Sequence, residues 1–264
     1  MSERNGYDPG VPCWVDNWQD DADAAARFYE AVLGWEVAAD ERYSIAMHRG
    51  LDAAGFGSPR PEGVPAQWTT YVWVESADET AAKARKAGGD VLVEPFDALD
   101  GGRIAIVADP AGAVLGVWQV GEHRGARVVN EPSAWAMSSL LTSDTEAAKR
   151  FYGAVFGWQT ESFAAGDFEA TMWRLPGFVG GEPEQPVPRD VVATMVEVDS
   201  QPAAWRPDFW VDDIERVAAT ADERGGTVVA PPSDSPVGKG AVLADPAGAV
   251  FSVTKLILPE GGAR

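Results

Sequence analysis

The heptapeptide ADPAGAV occurs twice in the 264-residue chain, at Ala108–Val114 and again at Ala244–Val250. An identical stretch of that length, so far apart, requires that the chain fold as two copies of one plan. The likeness runs well beyond the heptapeptide. RFYEAVLGWEV (Arg27–Val37) parallels RFYGAVFGWQT (Arg150–Thr160), and KARKAGGDVLVEP (Lys83–Pro95) parallels TADERGGTVVAPP (Thr220–Pro232). Trp68 and Trp73 return as Trp205 and Trp210. The step from Arg27 to Arg150 is 123 residues and that from Ala108 to Ala244 is 136, so the second copy carries an insertion, placed near LPGFVGGEPEQPVP (Leu175–Pro188). Two domains are expected, at residues 8–121 and 132–258, joined near GEHRGARVVNEPS (Gly121–Ser133).

Each copy reads in two similar passes. A short strand over Pro12–Trp18 precedes an Ala-rich helix with Phe28, Val32 and Leu33 on one face, opened by an acidic N-cap region and closed by Gly34. Short alternating runs at Trp35–Val37, Tyr43–His48 and Leu51–Gly57 follow. The second pass starts with the strand Trp68–Glu75, continues into the helix SADETAAKARKAGG, and ends in three more strands, the last after the PAG turn. GSPRPEGVPAQ and EPEQPVPRD read as loops at the seams between passes. The class is α+β, with the order βαβββ used four times.

The RFYxAVxGW helix end and the DPAGAV turn before a last strand resemble the vicinal oxygen chelate superfamily, which includes glyoxalases, extradiol dioxygenases and bleomycin-resistance proteins. The likeness spans about Val11 to Leu256. It implies tandem domains, each of two βαβββ modules forming a curved sheet cup with helices outside. It says little about activity, because one fold hosts many functions.

Metal-dependent members of that superfamily carry His, Gln or Glu on the cup face, and an open site needs three or four converging nitrogen or oxygen donors. The resemblance puts the corresponding positions at Trp14, near Gly57, at Thr69 and Gly116 in the first domain. In the second they fall on Met137, within Thr194–Glu197, on Arg206 and on Ser252. Glu197 alone is an ordinary ligand type. The chain has two histidines, His48 and His123, and neither falls on these positions. No metal and no other cofactor is expected.

Alternation along a strand then says what else faces inward. The first cup is lined by Trp14, Asp16, Trp18, Thr69, Tyr71, Trp73, Glu75, Gly116 and Trp118, with Gly116 leaving open floor. The second is lined by Met137, Ser139, Leu141, Arg206, Asp208, Trp210 and Ser252. In one reading the aromatics are packed core; in the other they wall a flat ligand, through ring stacking and cation–π contact. Trp35 and Trp158, next to the helix ends, are assigned to packing. Arg206 and Asp208 either pair with each other or offer a ligand a polar handle.

Composition bounds the partners. With 41 acidic and 21 basic side chains the net charge is −20, which disfavours nucleic acid and anionic membranes. That charge serves solubility, and it also attracts cationic small molecules. There is no apolar leader and no run long enough to span a bilayer, and Cys13 is the single cysteine. A cytoplasmic protein is expected, a monomer with an internal pseudo-twofold or a homodimer. The leading functional expectation is a metal-independent binder of an aromatic or cationic small molecule. The alternative is a metal-free isomerase or cyclase with Asp16, Glu75 or Asp208 as general base, and a metal-dependent glyoxalase or dioxygenase comes third.

Overall fold

The structure, a computed structural model, describes residues 2–38, 42–60, 62, 64–98, 101–165, 168–180, 189–199, 201–235 and 238–257. The first domain runs β1 (Pro12–Trp18), α1 (Ala22–Leu33), β2 (Glu36–Ala38), β3 (Tyr43–His48), β4 (Leu51–Gly57), β5 (Gln67–Val74), α2 (Ala77–Lys86), β6 (Asp90–Asp97), β7 (Gly102–Ala108) and β8 (Val114–Val120). The second runs β9 (Trp135–Thr142), α3 (Thr145–Phe156), β10 (Gln159–Ala165), β11 (Phe168–Arg174), β12 (Val191–Glu197), β13 (Ala204–Trp210), α4 (Ile214–Glu223), β14 (Thr227–Ser235), β15 (Gly238–Ala244) and β16 (Val250–Leu256). The order βαβββ therefore occurs four times. Only Arg49 and Gly50 separate β3 from β4, whereas residues 175–190 separate β11 from β12, which is where the extra length was expected. Much of that stretch, including most of EPEQPVPRD, lies outside the described residues.

Local chemistry sets the helix bounds. Asp21 and Asp144 open α1 and α3, each carboxylate accepting from the backbone N–H three residues on, at 2.8 and 2.9 Å. Gly34 and Gly157 close them in the left-handed region, at φ 74° and 75°, where a side chain would be strained.

Each domain forms one open eight-stranded sheet, in the orders β2-β3-β4-β1-β5-β8-β7-β6 and β10-β11-β12-β9-β13-β16-β15-β14. β1 runs antiparallel to β5, and β9 antiparallel to β13, at the centre of each. All four helices lie between the two sheets. One core holds Phe28 and Tyr29 of α1 together with Ile214 and Val217 of α4; the other holds Ala81 of α2 together with Phe151 and Tyr152 of α3. The sheets touch directly where Thr70 meets Ser138, hydroxyl to hydroxyl, at 2.7 Å. The two helix-free faces consequently point away from each other.

The repeated heptapeptide has its explanation here. Asp109 Oδ1 accepts the backbone N–H groups of Ala111 and Ala113, both at 2.9 Å, which folds the PAG turn. Its Oδ2 accepts from the hydroxyl of Tyr152, on the other domain's first helix, at 3.1 Å. Asp245 repeats the arrangement with Ala247, Ala249 and Tyr29, at 3.0, 2.9 and 3.0 Å. Trp68 and Trp205 donate their indole N–H groups to the same two tyrosine oxygens, at 2.9 and 2.8 Å. Trp35 and Trp158 stack on those tyrosines and donate to Ser133 and Gly10 carbonyls, so both are packing residues. The duplicated motifs thus build a reciprocal clasp between domains.

Candidate functional site

Alternation on β1 and β5 works as expected on the first helix-free face, except at one end. Trp14 stands opposite Tyr71 and Asp16 opposite Thr69, while Tyr71 and Trp73 stand opposite Gly116 and Trp118. Glu75 is a correction: β5 ends at Val74, and Glu75 is exposed in the bend beyond it, outside the face. Gly57 stands opposite Trp18 on the same face, and Gly55 stands opposite Asp16.

The first face is filled by its own side chains. Trp14 is fully buried, Asp16 and Tyr71 are 2 % exposed, and Trp118 is 6 % exposed. One carboxylate oxygen organises them. Asp16 Oδ2 accepts from Trp18 Nε1 at 3.0 Å, Tyr71 Oη at 3.0 Å and Tyr43 Oη at 3.1 Å, and Trp14 Nε1 donates to Tyr43 Oη at 2.7 Å. Burial pushes the Asp16 carboxyl up to about 7, against the opposing effect of those three donors. The floor expected to be open at Gly116 is occupied: a Cβ there would lie 2.1 Å from the Tyr71 ring. Cβ atoms at Gly55 and Gly57 would likewise run into Tyr43 and Trp18, at 2.1 and 2.5 Å. The three glycines make room for rings. His123 closes the mouth, its ring 4.5 Å from Trp14 and 5.2 Å from Trp118, on a strap held by Gly121 and His123 N–H groups donating to Gly101 O at 3.1 and 3.2 Å.

The second face differs at the same positions. Met137, Ser139, Arg206, Asp208, Trp210 and Ser252 are all part-exposed, while their neighbours Trp205, Phe209, Phe251 and Val253 are buried against the helices. Arg206 stands opposite Ser139, which stands opposite Thr194; Asp208 stands opposite both Met137 and Ser252. Asp208 Oδ1 accepts from Thr254 Oγ1 at 2.8 Å, and the Ser139 and Thr194 hydroxyls bond at 2.6 Å. Burial raises the Asp208 carboxyl to about 7, while Thr254 and then Arg206 pull the other way. Burial also lowers the Arg206 guanidinium, and its Nε has no hydrogen-bond partner among the described residues. A buried donor left unpaired is costly, so a ligand acceptor beside it would be favoured.

Sequence reasoning missed three contributors. Tyr43 sits on β3, a strand outside the inward set; Thr254 lies two residues past Ser252 and was within reach of the same alternation rule. His123 arrives from a connecting segment, where no periodicity exists to read. His48 packs against Glu131 at 3.2 Å, at the joining segment.

Among the described residues, the side chains at the superfamily's ligand positions do not suit a transition metal. The superfamily's positions hold Trp, Gly and Thr on one sheet and Met, Thr, Arg and Ser on the other, and Arg206 would repel a cation. Glu197 is exposed at the end of β12, opposite Thr142. Among the described residues no group of three or more His, Cys, Asp or Glu side chains converges. No helix in the described residues is long and apolar enough to cross a membrane.

Residues 14–117 match the Glyoxalase/Bleomycin resistance protein/Dioxygenase superfamily, and residues 137–254 match the Glyoxalase-like domain. The chain is 37% identical over 269 residues to a Mycobacterium tuberculosis protein that bears the name "Putative glyoxylase CFP32", covering 97% of this chain and 98% of that one. It is 33% identical over 276 residues to the anthracycline biosynthesis protein DnrV of Streptomyces peucetius, covering 95% and 94%. Its fold is similar to that of the Mn(II)-bound glyoxalase from Novosphingobium aromaticivorans, with a TM-score of 0.64 at 18% identity over 94% of this chain and 82% of that one. Sheet order, the fourfold βαβββ pattern and these matches agree: the chain belongs to the glyoxalase/bleomycin-resistance/dioxygenase superfamily, in its tandem two-domain form.

Proposed function

We propose that the helix-free face of the second sheet binds a planar, oxygenated aromatic compound without a metal, and that the first face serves as structure. One observation carries this reading. Asp16, Thr69, Tyr71 and Trp118 are buried in the first sheet, whereas the matching Ser139, Arg206, Asp208 and Thr254 of the second are polar and part-exposed; Leu141, which matches Trp18, is buried. Trp210 supplies a wall on which a flat ring stacks, for about 0.5–1.5 kcal/mol beyond the area buried. Arg206 donates to a carbonyl or phenolate oxygen, and Asp208 accepts from a neighbouring hydroxyl. A guanidinium two residues from the carboxylate disfavours a cationic ligand, so the expectation of an aromatic compound is kept and that of a cationic one dropped. The anthracycline context in the name of DnrV fits a hydroxylated polycyclic ligand.

A second reading, proton-transfer catalysis at the same place, is favoured by the Asp208 carboxyl at about 7. A base titrating near working pH would take a proton from a ligand C–H or O–H, and Arg206 would hold the oxyanion left behind.

Titration with 1,8-dihydroxyanthraquinone, followed by tryptophan fluorescence, tests the binding reading. Arg206→Gln should weaken binding about tenfold, the loss of one charge-assisted hydrogen bond. Trp18→Phe on the first face should leave it unchanged, and so should a chelator. Equal losses in the two variants, or loss on chelation, would overturn the assignment. Solvent deuterium exchange into a bound ligand, abolished by Asp208→Asn with binding kept, would establish the catalytic reading.

A further inference from the structure

A groove of about 740 Å³ runs between the N-terminal segment and the start of the second sheet, within the range of sites that hold drug-sized molecules. Its aromatic wall is Tyr7 and Trp73, with ring centroids 6.2 Å apart. That wall is held firmly: Tyr7 Oη donates to Ala126 O at 2.6 Å, and Gly10 N–H donates to Trp73 O at 2.8 Å. Arg4, Arg124 and Arg189 line the groove, and among the described residues Asp8 is the one carboxylate that lines it with them. In a chain with 41 acidic and 21 basic side chains, a lining in which Arg124 and Arg189 face one acid among the described residues runs against the prevailing sign. Arg189 is steered by its Nε donating to Gly180 O at 3.1 Å, and Arg124 is exposed and forms no ion pair among the described residues.

We propose that this groove is a second small-molecule site, for an aromatic carboxylate. The ring lies against Trp73 and Tyr7, and the carboxylate meets the arginines, whose planar guanidinium groups match it with paired donors. The chain's overall field repels anions at long range, so the arginines act at contact distance and provide selectivity. The inference does not rest on the second-sheet site: of the residues assigned to that face, Met137 also reaches the groove, and Arg206, Asp208 and Trp210 do not.

The test compares 2-naphthoate with its uncharged counterpart 2-naphthylmethanol, by ¹⁵N-labelled tryptophan indole signals in the full-length protein. Assignment comes from Trp73→Phe and Trp210→Phe. The acid should move the Trp73 signal, and the alcohol should bind about tenfold more weakly. Arg124→Gln/Arg189→Gln, two exposed positions, should weaken the acid about tenfold with an unchanged melting temperature. Three outcomes would each overturn the proposal: equal affinity for acid and alcohol, undiminished acid binding in the double variant, or signal changes confined to Trp210. The last would assign the probe to the second-sheet face instead and leave that reading standing.

Discussion

Replacing Asp16 by asparagine should change how stability depends on pH, by an amount the structure sets. The carboxyl moves from 3.8 to about 7 because it is buried, 2 % exposed, among rings. A carboxyl with a higher pKa in the folded chain binds its proton preferentially there. It therefore adds stability at low pH, and that stability is lost as pH rises through about 7. A tenfold difference in proton affinity between the folded and unfolded chain corresponds to about 1.4 kcal/mol, so from pH 5 to pH 8 the loss amounts to about 3 kcal/mol, as an upper figure. Asparagine keeps an acceptor for Trp18, Tyr43 and Tyr71 and does not titrate. The gap between wild-type and Asp16→Asn unfolding free energies, from urea melts across that range, should move by about 3 kcal/mol in favour of the variant. In thermal melts this corresponds to about 5–12 °C. Taking the difference cancels every other titrating group, Asp208 included. Parallel curves, offset by a constant, would refute the account of Asp16 as a buried, titrating anchor of the first face.

The interdomain clasp makes an asymmetric prediction. Tyr152→Phe strips the Trp205 indole and Asp109 Oδ2 of their partner, whereas after Tyr29→Phe Asp245 Oδ2 still accepts from Asn17 and Gln19. At about 1–3 kcal/mol for each orphaned buried group, Tyr152→Phe should cost about 2–6 kcal/mol and Tyr29→Phe about half as much, measured by urea unfolding. Gly116→Ala should cost about 1–3 kcal/mol in the same assay, because its methyl overlaps the Tyr71 ring that Asp16 holds in place.

The duplicated architecture was readable because its signals are local. The strand Pro12–Trp18, the caps at Asp21 and Gly34, and the paired motifs all lie within a few residues of their own causes. What joins the copies was not readable in that way. Nothing near Tyr29 shows that its hydroxyl ends on Asp245, 216 positions away. The inward residues of β1, β5 and β13 followed from positions the resemblance supplied, extended by alternation, but whether a face is full or open depends on partners from other strands. Tyr43 reaches in from β3, and Gly55 and Gly57 yield space on β4. Glu75 was misplaced because the strand stops one residue earlier than its alternation suggests.

Because each half's tyrosine terminates on the opposite half's aspartate, neither copy is self-sufficient. Severing the chain between residues 121 and 133 would leave two fragments, each exposing a helical surface and an uncapped acid that only its sibling can cover. The same division of labour frees the outward surfaces to drift apart. One is solid masonry, while the other shows part of its hydroxyls and charge to solvent, and neither change disturbs the seam that holds the molecule together.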